Sequence, residues 1–464
     1  MKNEALRAAA LAAQRDEWGT SWKFANVHLN DDPESAEALF LAGKALRDMG
    51  HIGLALTVFR RCLSLDNTRP ILWMQYGACY HDLHDWDNAR KAFEVVVKAF
   101  PDDPMPLANI ASGYVQMGKP REGLEYAERA LVLDPENRIA KVAHFFSNLG
   151  LGRWRAGWKY ADMVYGHQVP LRVYRDPDNE EPVWDGGKGQ TVVVQCDQGL
   201  GDQIMFAQCL PEMARDCKEV IVECSQRMAG LMRRNFPMVT VQDTLKDLTL
   251  EWPKEYAIDA HAHISLLGRW YRNSNIEFPR RSYLMPDAER LEKWRAWLAQ
   301  FPKPWLGIAW QGGIPHTMKE LRSLDLVEMA PIIEQGGTVF DLSYQDTVEE
   351  VARWNVDHPQ QIIRPPIDVS DYDDTVALVA ALDDIVTVTT TLAHVCGALG
   401  RHAYVLVPAA AAWRYQYQAG DGLWWYPEHS IELYRQVKGE PGWGYVVNRV
   451  ARARDKINRL RQAA

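Results

Sequence analysis

The sequence predicts an all-helical repeat array in its first third, followed by an α/β region of two lobes, each on a parallel sheet. Three observations predict this: a 34-residue period across positions 36–137, an extended apolar run that passes through a Gly-bearing loop into a helical run at 191–213, and a second series of short apolar runs after Pro302-Lys303-Pro304. A chain of 464 residues is too long for a single core. Its 47% hydrophobic and 24% charged content is that of an ordinary globular protein. A net charge of −9 argues against a general nucleic-acid binder, which carries a basic excess. Seven cysteines without a Cys-x-x-Cys pair point to reduced thiols rather than a disulfide framework or a structural zinc site. The start lacks the apolar core of a signal peptide, and no run of eighteen apolar residues occurs. The expectation is a cytoplasmic protein.

The period shows in residue identities before any helix is assigned. Asn67, Pro101 and Pro135 are one step apart, as are Gly43, Gly77 and Ala111, then Ala55, Ala89 and Gly123, then Phe59, Phe93 and Ala127. Small residues let the two helices of a unit touch, large ones fill between units, and proline ends the pair. Trp73, Gly77, Tyr80, Ala89, Phe93 and Pro101 fall where a tetratricopeptide repeat places them, and the stretch resembles three such repeats at 36–69, 70–103 and 104–137. Residues 4–30 and 138–165 read as flanking helix pairs, which such an array needs as caps. A concave face of this kind holds an extended peptide or partner helix; the alternative is a spacer or dimerisation arm.

Prolines at 170, 177 and 182 and the Asp185-Gly186-Gly187 run mark a linker. Strands are then expected at 191–196, 219–224, 238–241 and 256–259, with helices at 202–215, 225–235 and 264–272. Gln198, Gly199, Gly201 and Asp202 form the first turn, where strand end and helix start offer a place for a polar ligand. Asp202 reads either as a functional carboxylate or as a plain helix cap. His261 and His263 lack an obvious third ligand for a metal, and His261 is expected in the cleft near the carboxyl end of its strand.

In the second lobe, strands are expected at 305–310, 338–342, 361–364, 384–389 and 403–407. The glycine-led loop after the first carries Gln311, His316, Lys319 and Arg322. Point charge, guanidinium fork and backbone N–H groups are what a diphosphate needs, although a solvated basic loop is the plainer alternative. Thr389, Thr390 and Thr391 precede a helix bearing His394, where hydroxyls suit an anion or ordinary capping. Residues 445–463 form a basic amphipathic helix that either closes the fold across both lobes or docks on a membrane surface.

Several pieces in order resemble glycosyltransferase family nine, the heptosyltransferase-like enzymes of GT-B fold, behind tetratricopeptide repeats: GRWRAGW, PVWDG, QGLGDQIMFAQCLP, DAHAHISLLG, GIAWQGG with the following His, Lys and RSL, AALDDIVTVTTTLAHVCGALGR, WRYQYQAGDGLWWYP and LYRQ. The resemblance covers the C-terminal 275 residues. It implies an inverting transfer from a nucleotide sugar without a metal or other cofactor. Asp202 would be the general base, and Lys319 and Arg322 would hold the leaving diphosphate. Gln311, His316, Thr390, Thr391 and His394 would complete the donor site, and Gln198, Gly199, Gly201 and His261 the acceptor side. The family usually has Asp-Thr where this chain has Thr389-Thr390, which leaves the sugar open. The implied division is 1–168 repeats, 169–189 linker, 190–300 acceptor lobe, 301–444 nucleotide-sugar lobe and 445–464 terminal helix. A protein acceptor fits the repeats best, with no nucleic-acid partner and no membrane association expected. The alternatives are a repeat-based scaffold that has lost catalysis and a transferase acting on lipopolysaccharide-type glycan.

Overall fold

The computed structural model describes residues 2–165, 182–196, 198–244, 252–313, 319–416, 422–436 and 442–463. The chain divides into two compact units, Met1–Asn148 and Leu149–Ala464.

The first unit is a run of antiparallel helix pairs: Lys2–Gln14 with Trp18–Asp31, Ala36–Asp48 with Ile52–Leu65, Pro70–Asp82 with Trp86–Ala99, and Pro104–Gln116 with Pro120–Leu133, before Arg138–Gly150. Proline opens three of these helices, at a position whose missing N–H costs nothing. Ser35, Asp85 and Asp103 cap three through side-chain acceptors. The 34-residue period has a steric cause. A Cβ on Gly43 would sit 2.6 Å from the Phe59 ring, and one on Gly77 would sit 2.7 Å from the Phe93 ring. In the fourth pair both partners shrink together, to Ala111 and Ala127.

The expected trailing helix pair does not form within the first unit. After Arg138–Gly150 the chain breaks into short turns at Trp154–Gly157, Trp158–Tyr160 and Ala161–Tyr165, and these pack in the second unit. Trp158 is the reason. Its ring is buried against Phe206 and Trp413, its Nε1 donates to the Arg272 carbonyl at 2.8 Å, and Gly268 leaves room for it. Most of the linker expected at 169–189 lies outside the described residues.

Four parallel strands form the first sheet of this unit: β1 (Thr191–Gln195), β2 (Glu219–Cys224), β3 (Thr240–Asp243) and β4 (Ala260–His263), in the order β3-β2-β1-β4. All five residues of β1 are buried, as its β-branched run demands for a central strand. The strand expected at 256–259 in fact begins at Ala260. Asp259 occupies the turn before it, accepting from the Thr191 N–H at 2.8 Å, and Ile258 packs with Val193 and Ile221. The helix expected at 202–215 starts earlier and is split into Leu200–Ala207 and Leu210–Asp216, with Pro211 in the first turn of the second piece.

The second sheet holds six parallel strands: β5 (Trp305–Ala309), β6 (Thr338–Asp341), β7 (Ile362–Ile363), β8 (Asp384–Val388), β9 (Ala403–Val407) and β10 (Ile431–Arg435), in the order β10-β9-β8-β5-β6-β7. β10 was absent from the expected strands, because Glu432, Tyr434 and Arg435 dilute its apolar pattern at the sheet edge. Helix Ala288–Leu298, assigned by sequence to the first lobe, packs on helix Tyr372–Ala381 of the second, with Arg290 paired to Asp371 at 2.5 Å and Trp294 Nε1 donating to Asp374 at 2.8 Å. Helix Tyr372–Ala381 also meets the first lobe, where Arg234 grips Asp373 through both guanidinium nitrogens.

The terminal helix, Gly444–Ala463, lies on the second lobe. Val446, Val447, Val450 and Ala451 join its core beside Trp443. Two of its six arginine and lysine residues turn inward: Arg461 is bidentate on Asp384 at 2.9 and 3.0 Å, and Arg454 lies 3.6 Å from the same carboxylate. The face that would have met a membrane is therefore partly committed to the protein. Among the described residues no helix is long and apolar enough to cross a membrane.

Candidate functional site between two parallel sheets

The carboxyl ends of β1, β5, β8 and β9 supply one cluster within the second unit. Parallel sheets concentrate loops at that end, which is where polar ligands are met in such folds. Helix Leu200–Ala207, after β1, packs on helix Thr391–Leu399, after β8. Gly201 makes the approach possible: a Cβ there would fall 2.8 Å from His394 Cδ2 and 3.4 Å from Thr391 Cα. The sequence assigned Gly201 to a ligand turn, whereas its role here is helix packing. Gly201→Val is expected to cost about 1–3 kcal/mol by overpacking, measured by urea denaturation. Gly199→Val is the near-neutral control, since an added carbon there meets nothing within 4 Å.

Asp202 stands in the first turn of its helix rather than at the cap, which is Gly199. Its carboxylate is ion-paired with Arg414, from the turn after β9, and both side chains are largely shielded, 21% and 18% exposed. Arg414 also lies over the Trp413 ring, 5.6 Å from its centroid. Arg322 reaches the same cluster from the turn Lys319–Arg322: its guanidinium donates to the Thr389 carbonyl and hydroxyl. Burial is the main cause that pulls Arg322 below its ordinary pKa. Arg414 adds to this, while Tyr415 and Asp202 oppose it. Arg414 thus takes the Asp202 carboxylate while Arg322 pairs with no carboxylate among the described residues, leaving an excess of positive charge.

His394 is buried between two tyrosines, with Nδ1 2.6 Å from the Tyr426 hydroxyl and Nε2 3.0 Å from that of Tyr415. A neutral imidazole donates from one nitrogen and accepts at the other, so the two hydroxyls play opposite roles. Burial first, then Arg414 and Arg322, push His394 down to about 3. His394 therefore stays neutral in the folded chain while it protonates in the unfolded chain below about 6.5. The unfolded state then binds the extra proton, and stability falls as pH drops through that window. Between pH 6.5 and 5 this amounts to roughly 2 kcal/mol. Urea denaturation at pH 7 and pH 5 should show His394→Gln losing less stability than the parent over that interval.

The remaining expected residues are held in different ways. Thr390 is buried and caps the Thr391 helix, accepting from the Leu392 N–H at 3.3 Å and meeting Thr387 Oγ1 at 2.9 Å. Thr391 lies against Gly201. Gln311 is turned to Glu350, donating to its carboxylate at 2.9 Å beside Trp310 Nε1, which donates to the same oxygen. Lys319 is half-buried three residues before Arg322, and no side-chain hydrogen bond or ion pair among the described residues occupies it. The Gln198 carbonyl accepts from Gln203 at 2.6 Å. His261 does not line the cleft. It sits buried within β4, opposite Val193, because the strand begins later than the apolar pattern suggested. His316 lies outside the described residues. Sequence reasoning missed Arg414, Tyr415 and Tyr426. All three fall in the WRYQYQAGDGLWWYP stretch, whose density of aromatics and one arginine was the available signal.

Residues 36–69 and 72–103 match family models described as tetratricopeptide repeat, and the chain carries these repeats. Protein FlbA of Caulobacter vibrioides (strain ATCC 19089 / CIP 103742 / CB 15) is 26% identical over 422 residues, spanning 86% of this chain and 69% of FlbA. Similar solved structures include MamA 41-end from Desulfovibrio magneticus RS-1, at 21% identity, covering 35% of this chain and 90% of that one with a TM-score of 0.32. Pseudomonas aeruginosa PilF is similar at 18% identity, covering 38% of this chain and 78% of that one with a TM-score of 0.33.

Proposed function

We propose that this chain is an inverting, metal-independent glycosyltransferase that moves a sugar from a nucleotide-sugar donor to a protein acceptor recruited by the repeats. The observation that carries the reading is that Asp202, paired with Arg414, stands at the strand ends where Arg322 is tethered to Thr389. A carboxylate there can take the proton of an acceptor hydroxyl. The acceptor oxygen bonds to the anomeric carbon as the opposite C–O bond to the diphosphate breaks, so the configuration inverts. The electron pair goes to the leaving diphosphate, whose charge Arg322 and Lys319 are suited to hold. A helix–loop array with a repeat-specific concave face suits an extended peptide better than a lipid-linked glycan.

The second reading is a binding scaffold, favoured by one observation: Asp202 is already neutralised by Arg414. The two readings separate by incubating the full chain with UDP-, GDP-, ADP- and CMP-sugars, with and without EDTA, and following release of the nucleotide. Release with one donor class, indifferent to EDTA and lost in Asp202→Asn, supports the enzyme. No release from any donor, with no nucleotide bound, favours the scaffold.

A further inference from the structure

We infer that Arg414 exchanges anionic partners: a donor diphosphate that draws its guanidinium away from Asp202 frees the carboxylate to act as base. This deepens the transferase reading and rests on its anion site. The pair joins two different elements, the helix after β1 and the turn after β9, which are 212 positions apart in the chain. Both side chains are largely removed from solvent, so neither charge is simply left to water when the other leaves. The carboxylate oxygen on which the guanidinium sits is not open to an acceptor hydroxyl until that contact is broken.

The surroundings favour such an exchange. Arg414 is steadied over Trp413, itself packed on Trp158 and Trp425, so the guanidinium is presented from a fixed base. Arg322 faces the same cluster, while His394 and Tyr415 contribute no compensating negative charge. A diphosphate brings more charge than one carboxylate and several acceptor oxygens, and a guanidinium fork suits it. The consequence is an order of events. The base is uncovered only when the donor is present, which protects the site from acting without its substrate.

The test is a double-mutant cycle on the full chain, with inorganic pyrophosphate as the probe in isothermal titration calorimetry at low salt and thermal melting as the folding check. Asp202→Asn should tighten pyrophosphate binding by about tenfold, because the competitor for Arg414 is gone. Arg414→Ala should weaken binding by about the same factor. In the Arg414→Ala background, Asp202→Asn should then gain no more than about twofold. An equal gain in both backgrounds would mean that Asp202 acts only as general negative charge, and it would overturn the exchange. No gain in the parent, which nevertheless binds pyrophosphate, would overturn the exchange and leave the anion site standing. If the parent and every variant bind neither pyrophosphate nor a nucleoside diphosphate, the anion site itself falls, and the exchange with it.

Discussion

Arg322→Ala is expected to lower nucleotide-sugar turnover by roughly 30- to 1000-fold, the loss of about 2–4 kcal/mol of stabilisation that one charged donor gives a developing anion. The side chain is well placed for this role. It is anchored at Thr389 rather than on a carboxylate, so its charge is not cancelled at its own tether. Arg322→Lys keeps the charge but loses the fork and should recover only part of the activity. Binding of the nucleoside diphosphate, measured by calorimetry on the same variants, should fall in the same order. A melting temperature close to that of the parent would show that the loss is not one of folding. Unchanged turnover in Arg322→Ala would remove this residue from the donor site.

The largest expected effect on stability is at the other end of the second sheet. Asp384 begins β8 and is 1% exposed, with Arg454 wholly buried beside it. Burial pulls Arg454 below its ordinary pKa while the neighbouring Asp384 opposes that shift. Arg454 also donates to the Ile332 carbonyl at 2.9 Å and to Gln335 Oε1 at 3.1 Å. Arg454→Met should cost about 3 kcal/mol, because it leaves a buried carboxylate with Arg461 as its charged partner. Arg461 is nearly half-exposed and cannot restore the lost contacts to Ile332 and Gln335. Adding Asp384→Leu to Arg454→Met should return part of the loss, since removing both charges is cheaper than stranding one. Urea denaturation of the two variants checks both signs. The same contacts explain why the terminal helix reads as a structural strap on the second lobe despite its basic sequence.

These residues also show what the sequence could and could not disclose. The repeats were legible because their packing is local: Gly43 answers Phe59 and Gly77 answers Phe93 within one helix pair. β1 was legible because a central buried strand is apolar throughout. β4 was misplaced because Ala260-His261-Ala262-His263 has little strand character of its own and is held by pairing to β1. Arg322 was singled out by its glycine-led basic loop, Asp202 and His394 by the family resemblance, and the three share one cluster. Arg414 was passed over because its partner is set by the return of a distant loop, which no local pattern encodes. Gly201 was read as a turn residue for the same reason: the helix that it accommodates belongs to the other lobe.

A nucleotide-sugar donor site at these strand ends is tested most directly by thermal denaturation of the full chain with nucleoside diphosphates and nucleotide sugars of the uridine, guanosine, adenosine and cytidine series. A ligand bound only by the native state raises the melting temperature by mass action, by about 2.7 kcal/mol of stability at a hundred times its dissociation constant. A saturable rise with one nucleoside class is expected, the same with EDTA present and smaller in Arg322→Ala at equal ligand concentration. A melting temperature that stays unmoved by every nucleotide at millimolar concentration would contradict it.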